Sequence, residues 1–279
     1  MQTYILLFRC RDQKGIVAKI SDFILKQDAN IIKANQYTTD PEGGYFFLRI
    51  EFTSASGQVG IPFLMESFKP IGQEFAAQWN IYNKTQLLRM GVLVSKPDHC
   101  LLDILYLQKL GELRVDIPFV ASNYDEHRKI VEQHNIPFYF IPANKDSRRE
   151  GEFLSLALNT DFLVLARYML VLSANFLKAY NKDIINIHHG FLPSFKGADP
   201  YALALKLGVK VIGATAHFAN ELLDDGPIIS QAVEYVTHDD NLGSLLRKGR
   251  NLEKRALTEA ILSYIDYRLI RHENKTIVF

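Results

Sequence analysis

The sequence predicts an α/β protein in two parts. A ferredoxin-like βαββαβ unit covers residues 1–83, a mostly parallel, Rossmann-like sheet covers residues 89–279, and residues 84–88 form the linker. Three observations predict this. A chain of 279 residues is a prior for two hydrophobic cores. Up to residue 83, apolar positions switch between period two and a spacing of three and four, in the order strand, helix, strand, strand, helix, strand. Beyond residue 88, short apolar runs alternate with helical patterns, as in parallel strands joined by crossover helices.

The elements follow in order. Thr3–Cys10 is a strand with Tyr4, Leu6 and Phe8 on one face. Arg11–Gly15 is a turn. Gly15–Gln27 carries Ile16, Val17, Ile20, Phe23 and Ile24 at amphipathic-helix spacing. Ile31–Thr38 is a strand, Asp40–Gly44 has hairpin-turn composition, and Tyr45–Phe52 sets Phe47 and Ile50 against Arg49 and Glu51. A helix over Gly60–Lys69 and a strand over Ala76–Tyr82 complete the first unit. In the second, strands are expected at Leu88–Val94, Val115–Ser122, Pro137–Ile141, Phe162–Ala166 and Ile184–His188. Helices are expected between them at Cys100–Lys109, Tyr124–His134, Ser147–Leu158 and Ala174–Tyr180. Two more strands, Val211–Phe218 and Ile228–Tyr235, precede a helix from about Leu242 to Arg271.

Composition excludes several classes of function. Hydrophobic residues make up 48% and charged residues 23%, with a net charge of +1, so no broad attraction to nucleic acid or an anionic membrane is implied. No run approaches the ~18 apolar residues of a spanning helix. Arg9 and Arg11 interrupt the opening apolar run, so no leader peptide is expected and a cytoplasmic location is. The two cysteines, Cys10 and Cys100, fall in different units and read as reduced thiols. The turn after Leu88–Val94 reads Ser95-Lys96-Pro97-Asp98-His99, with neither G-x-G-x-x-G nor a P-loop, so no phosphate is expected there.

Chemistry gathers at the end of Ile184–His188. Asn186 and His188 are two apart and share a face, and Gly190 and Pro193 end the strand. Ligands of open α/β sheets bind at such carboxyl ends. A histidine with an amide neighbour and a carboxylate suits hydrolytic acyl chemistry. The histidine takes a proton from water, and the amide donates to an oxyanion, a contact worth ~3 kcal/mol elsewhere. The acidic loop before Gly226-Pro227-Ile228, with Asp224 and Asp225, is the candidate source of the carboxylate, and a solvated turn is its plainer reading. Metal binding and plain hydrogen bonding are rival uses of these residues. His188 and His189 are adjacent and face opposite sides of a strand, which argues against a shared metal. Ser194 lacks a G-x-S-x-G context.

Two resemblances sharpen this. Cys10-Arg11-Asp12-Gln13-Lys14-Gly15-Ile16-Val17-Ala18-Lys19-Ile20-Ser21 resembles the first strand, loop and helix of an ACT regulatory domain. That implies an amino-acid effector, such as methionine or glycine, near Asp12, Gly15 and Ile16, and a homo-oligomer, dimer or tetramer. The second unit resembles the formyltransferase fold family that handles 10-formyltetrahydrofolate, through Asn186-Ile187-His188 and His217 to Asp224 followed by Gly226-Pro227-Ile228. The resemblance implies Asn186, His188 and Asp224 as catalytic residues. It implies Leu165, Arg167, Met169, Leu170, Leu172, Ala219 and Glu221 as substrate contacts, with no cofactor and no metal.

Met90–Asp103, Leu165–Met169, Ile185–His189, Gly213–His217 and Arg247–Arg250 narrow the resemblance to the formyltetrahydrofolate deformylases. That implies hydrolysis of 10-formyltetrahydrofolate, feeding formate to purine synthesis and balancing one-carbon pools. The alternatives are a formyltransferase with an unrecognised acceptor and a non-catalytic folate or amino-acid sensor. Glycinamide ribonucleotide-formylating relatives hold their acceptor at a glycine-rich phosphate turn, which here is the glycine-free Ser95–His99. Gly190, where deformylases usually carry serine, and Lys196, where an apolar residue is common, depart from the family pattern.

Overall fold

The computed structural model describes residues 2–40, 42–54, 60–194 and 199–279, and the chain divides into two compact units. The first comprises residues up to Leu87 with Asp266–His272 and Ile277–Phe279, and the second comprises Leu88–Ile265 and Glu273–Thr276. Lys196 lies outside the described residues. Among the described residues no helix is long and apolar enough to cross a membrane.

In the first unit the order is β1 (Gln2–Arg11), α1 (Ile16–Lys26), β2 (Ala29–Thr38), β3 (Tyr45–Ser54), α2 (Ile61–Glu74) and β4 (Gln78–Asn83). The sheet order is β2-β3-β1-β4, and β3 lies antiparallel to both β1 and β2. Tyr4, Leu6, Phe8, Phe46, Leu48, Ile50 and Phe52 meet Ile20, Phe23, Leu64 and Phe68 in one core. The helix α2 runs past Lys69 and through Pro70, although proline removes a helical donor. Packing accounts for this: Leu64, Phe68 and Gly72 are buried, and a Cβ on Gly72 would stand 1.9 Å from the Trp79 indole nitrogen.

The face assignment on β3 needs correction. Ile50 faces the helices with Phe46 and Leu48, so it does not share a face with Phe47. The other face is also covered. Arg49, only 3% exposed, donates to the carbonyls of Tyr267 and Asp266 and pairs with Glu51 at 3.3 Å, while Lys84 reaches Glu51 at 2.6 Å. Polar residues on a strand therefore did not mean solvent here. The tail that covers them departs from the expected helix over 242–271. The helix that starts at Leu242 ends at Ile265, and a hairpin follows.

In the second unit the elements are β5 (Leu88–Val94), α3 (His99–Leu110), β6 (Val115–Asp116), β7 (Val120–Ser122), α4 (Arg128–Glu132), β8 (Phe138–Phe140) and α5 (Glu150–Ala157). Then come β9 (Phe162–Ala166), α6 (Ala174–Tyr180), β10 (Asp183–His188), α7 (Pro200–Leu207), β11 (Val211–Phe218), β12 (Ile228–Tyr235) and α8 (Leu242–Ile265). The chain ends in the hairpin β13 (Leu269–His272) and β14 (Lys275–Val278), of which β13 belongs to the first unit. The main sheet runs β12-β11-β10-β9-β5-β7-β8. The strands from β8 to β10 are parallel, and β11 and β12 are antiparallel additions.

Three expectations shift. The strand over Val115–Ser122 is two short strands, because Pro118 between them has no N–H for the ladder. The helix over Tyr124–His134 shrinks to α4, because the Ser122 hydroxyl accepts from Tyr124 N and turns the chain first. The helix α7 was not anticipated, although Pro200 at its start and Gly208 at its end are ordinary boundary signals.

Ser173 caps α6 by accepting from Phe176 N at 3.1 Å, and its hydroxyl donates to Glu150. Ser173→Ala is expected to cost about 1 kcal/mol in a urea melt.

Candidate active site

Five chain segments end at the site. Parallel pairing aligns Val94 with Ala166 and Asn186 with Leu165, so the β5, β9 and β10 ends share one edge of the sheet. On β10, Asn186 sits opposite His217 and His188 opposite Thr215 of β11. Beyond β11 the chain makes the acidic loop and returns as β12, tied by Phe218 N donating to Pro227 O at 3.0 Å and Ala219 N donating to Ile184 O at 2.8 Å.

Asp224 reaches back from that loop with φ of 52°. Its Oδ2 lies 3.2 Å from His188 Nδ1 and its Oδ1 lies 3.7 Å from His217 Nε2. The two imidazoles are buried, and the Asp224 side chain is partly buried. Burial opposes ionisation of Asp224, yet hydrogen bonds from His188 and His217, and their charge, hold its carboxyl well below the usual carboxylate range. The contact engages His188 through Nδ1, so proton exchange with a bound molecule would pass through Nε2.

His217 was not among the candidate catalytic residues, and it links the other two sides. Its Nδ1 donates to Phe218 O at 3.0 Å, and its Nε2 lies 3.1 Å from the Asn186 amide and faces Asp224. That network orients the Asn186 amide. The available signal was positional: His217 ends a strand two residues after Thr215, on the face His188 needs.

Thr215 holds the loop after His188. Its hydroxyl donates to Gly190 O at 2.9 Å and accepts from Leu192 N at 3.0 Å and from Gln231 Nε2 at 3.1 Å. The loop uses the Gly190 carbonyl, so glycine in place of serine leaves that bond intact.

The candidate substrate residues separate into groups. Leu165 and Leu172 belong to the core, with Leu170 and Ala219 packed against it. Met169 is half-exposed and Glu221 exposed. Met169 N donates to Ser95 Oγ at 2.9 Å, tying this loop to the β5 turn. Arg167 is engaged elsewhere, with its Nε 3.2 Å from Glu253. In the first unit, Gly15 has φ of 93° and opens α1 by accepting from Lys19 N. Asp12 accepts from Thr38 Oγ1 at 2.7 Å, and Ile16 is buried.

Among the described residues, one group of three has metal-capable donor atoms within 4.8 Å of one another: His99, Cys100 and Glu253. Arg167 contacts the same Glu253 oxygen as His99, and burial pushes the Cys100 thiol well above its ordinary value. Both oppose a cation there.

An ACT-like unit joined to a formyltransferase fold, with a paired histidine and aspartate beside an asparagine, defines a one-carbon enzyme of the formyl transferase class. Residues 88–261 match the family described as Formyl transferase, and residues 4–58 match the ACT domain. The chain is 46% identical to formyltetrahydrofolate deformylase of Bacillus subtilis, over 98% of this chain and 93% of that one. A crystal structure of a formyltetrahydrofolate deformylase from Pseudomonas syringae superposes with a TM-score of 0.94 at 39% identity, covering 100% of this chain and 95% of that one. Glycinamide ribonucleotide transformylase 1 from Symbiobacterium toebii is more distant, with a TM-score of 0.65 and 28% identity over 72% of this chain and 98% of that one. The chain belongs to the formyltetrahydrofolate deformylase family.

Proposed function

We propose that the protein hydrolyses 10-formyltetrahydrofolate to formate and tetrahydrofolate. The observation that carries this reading is the pairing of His188 Nδ1 with Asp224 at 3.2 Å, at the carboxyl end of a parallel strand. His188 takes a proton from water through Nε2 while Asp224 steadies the imidazolium. The water oxygen bonds to the formyl carbon, and the carbonyl electrons move to oxygen. Asn186 donates an N–H to that oxyanion, alongside protonated His188. Collapse breaks the carbon–nitrogen bond, and the folate nitrogen takes the proton from His188.

Pure protein with 10-formyltetrahydrofolate and no amine acceptor is expected to release formate and tetrahydrofolate in equal amounts. No turnover above that of Asp224→Ala would refute the reading. Asn186→Ala is expected to lower kcat by about 10²–10³, as for other single oxyanion donors. An unchanged kcat would remove Asn186 from that role.

Apolar contacts from Leu165, Met169, Leu170 and Leu172, with Ala219 and Glu221 from the acidic loop, form the proposed folate pocket. The reaction needs no metal and no cofactor. The first unit is proposed to regulate by binding an amino acid near Asp12, Gly15 and Ile16, in a homo-oligomer. Methionine and glycine added to the assay test this, and an unchanged rate with both counts against either as effector.

A further inference from the structure

The serine that follows β5 is bonded through every polar group it has. Ser95 is 1% exposed. Its N donates to Arg167 O at 3.2 Å, and its carbonyl accepts from His127 Nε2 at 2.8 Å. Its hydroxyl lies 2.7 Å from Asn123 Oδ1 and 2.9 Å from Met169 N. The strands β5 and β9 last pair at Val94 and Ala166, so Arg167 O and Met169 N are both held beyond the end of the ladder.

The direction of that hydroxyl follows by elimination. The Ala143 carbonyl can only accept, so the atom facing it at 3.3 Å is the Asn123 amide nitrogen. This turns the amide oxygen, an acceptor, towards Ser95. The hydroxyl therefore gives its one proton to Asn123, and its lone pairs are left for the Met169 N–H. A side chain thus takes the place of the next backbone acceptor between the two strands. The loop it holds leaves the sheet abruptly. Arg167 has φ of 64°, a left-handed conformation that residues other than glycine rarely adopt. Tyr168 is then buried against Phe153, with ring centroids 5.6 Å apart, while Met169 is half-exposed. The far end of the loop is tied as well, by Ser173 N donating to Glu150 Oε1 at 2.7 Å.

We propose that Ser95 is a positioning residue for folate binding: its hydroxyl, aimed by Asn123, holds the Met169 N–H and so sets the wall of the pocket at residues 169–172 before substrate arrives. This rests on the folate pocket proposed above. A wall set in advance spares the complex the ordering of that loop. Loss of the hydroxyl therefore falls on binding, not on the proton transfer at His188.

Tetrahydrofolate is the probe. Full-length wild type, Ser95→Ala, Asn123→Ala and the double variant are titrated with it by calorimetry, and hydrolysis of 10-formyltetrahydrofolate is followed in parallel. Ser95→Ala is expected to weaken tetrahydrofolate binding and raise KM by about tenfold, with kcat lowered by no more than about threefold. Asn123→Ala is expected to weaken binding in the same direction. The double variant is expected to lose no more than Ser95→Ala alone, because both residues act through one hydrogen bond to Met169. Unchanged binding in Ser95→Ala, additive losses in the double variant, or a loss carried by kcat would overturn the proposal. If Ser95→Ala does not fold, Ser95→Cys takes its place under the same expectations, since the thiol keeps the volume but accepts only weakly. A wild type that binds tetrahydrofolate without hydrolysing the formyl compound refutes the hydrolase reading and leaves the titration decisive for Ser95. A wild type that does neither refutes both.

Discussion

Asp224→Asn is expected to lower kcat by about 10²–10⁴ with little change in KM, the range assigned to a positioned acid–base system. Asparagine keeps the volume and one oxygen but cannot balance an imidazolium on His188, which sits 3.2 Å away. The loss therefore falls on the step in which His188 carries a proton, not on folate binding. The same residue sets a pH signature. The folded-state carboxyl is held below its ordinary value, so Asp224 contributes stability above the unfolded carboxylate value of about 4. That contribution disappears as pH falls through the folded value. Wild type is expected to lose stability relative to Asp224→Asn as the solution is acidified below the unfolded carboxylate value of about 4, read as converging urea midpoints. In neutral solution the carboxylate is fully ionised, so the kcat deficit is expected at every pH where the wild type is folded.

Gly226→Ala is expected to remove activity and lower stability together. A Cβ on Gly226 would stand 1.7 Å from the Phe218 carbonyl oxygen, a contact that only backbone movement relieves. That oxygen receives the His217 Nδ1 hydrogen bond, so displacing it frees the ring that orients Asn186 and contacts Asp224. Overpacking of this kind costs about 1–3 kcal/mol, more when backbone must shift. Gly151→Ala is the control. Gly151 lies in α5 with nothing within 4 Å of an added Cβ. Alanine there is expected to be neutral or stabilising by about 0.5 kcal/mol. A Gly226→Ala protein with wild-type kcat would show that the Phe218 contact does not hold the acidic loop.

The opposite signs of these two substitutions illustrate what the chain reveals about itself. Period two and helical spacing are local, so β1, β5, β9, β10, β11, β12 and α6 stand within a residue or two of where the pattern puts them. Expectations shifted where a distant segment intervened. The alternation along β3 could not show what covers Arg49, because the carbonyls it donates to, of Asp266 and Tyr267, lie more than two hundred residues away. The expected helix over 242–271 stopped at Ile265, where the chain turns through Tyr267, at φ of 51°, into a hairpin.

The site follows the same rule. Asn186 and His188 could be paired from their spacing, while Asp224 was singled out from Asp225 only by the family resemblance. The bridging position of His217 depends on β10–β11 register, which no local window shows.

In the proposed hydrolysis the formyl carbon leaves folate on an oxygen from water, with His188 and Asp224 moving the proton. Its most direct test is a reaction of pure protein with 10-formyltetrahydrofolate in water labelled with the heavy oxygen isotope, without acceptor, with formate analysed by mass. One labelled oxygen in each formate, tetrahydrofolate in equal yield, and loss of both products in Asp224→Asn are expected. Tetrahydrofolate released without labelled formate, or an undiminished yield from Asp224→Asn, would contradict it.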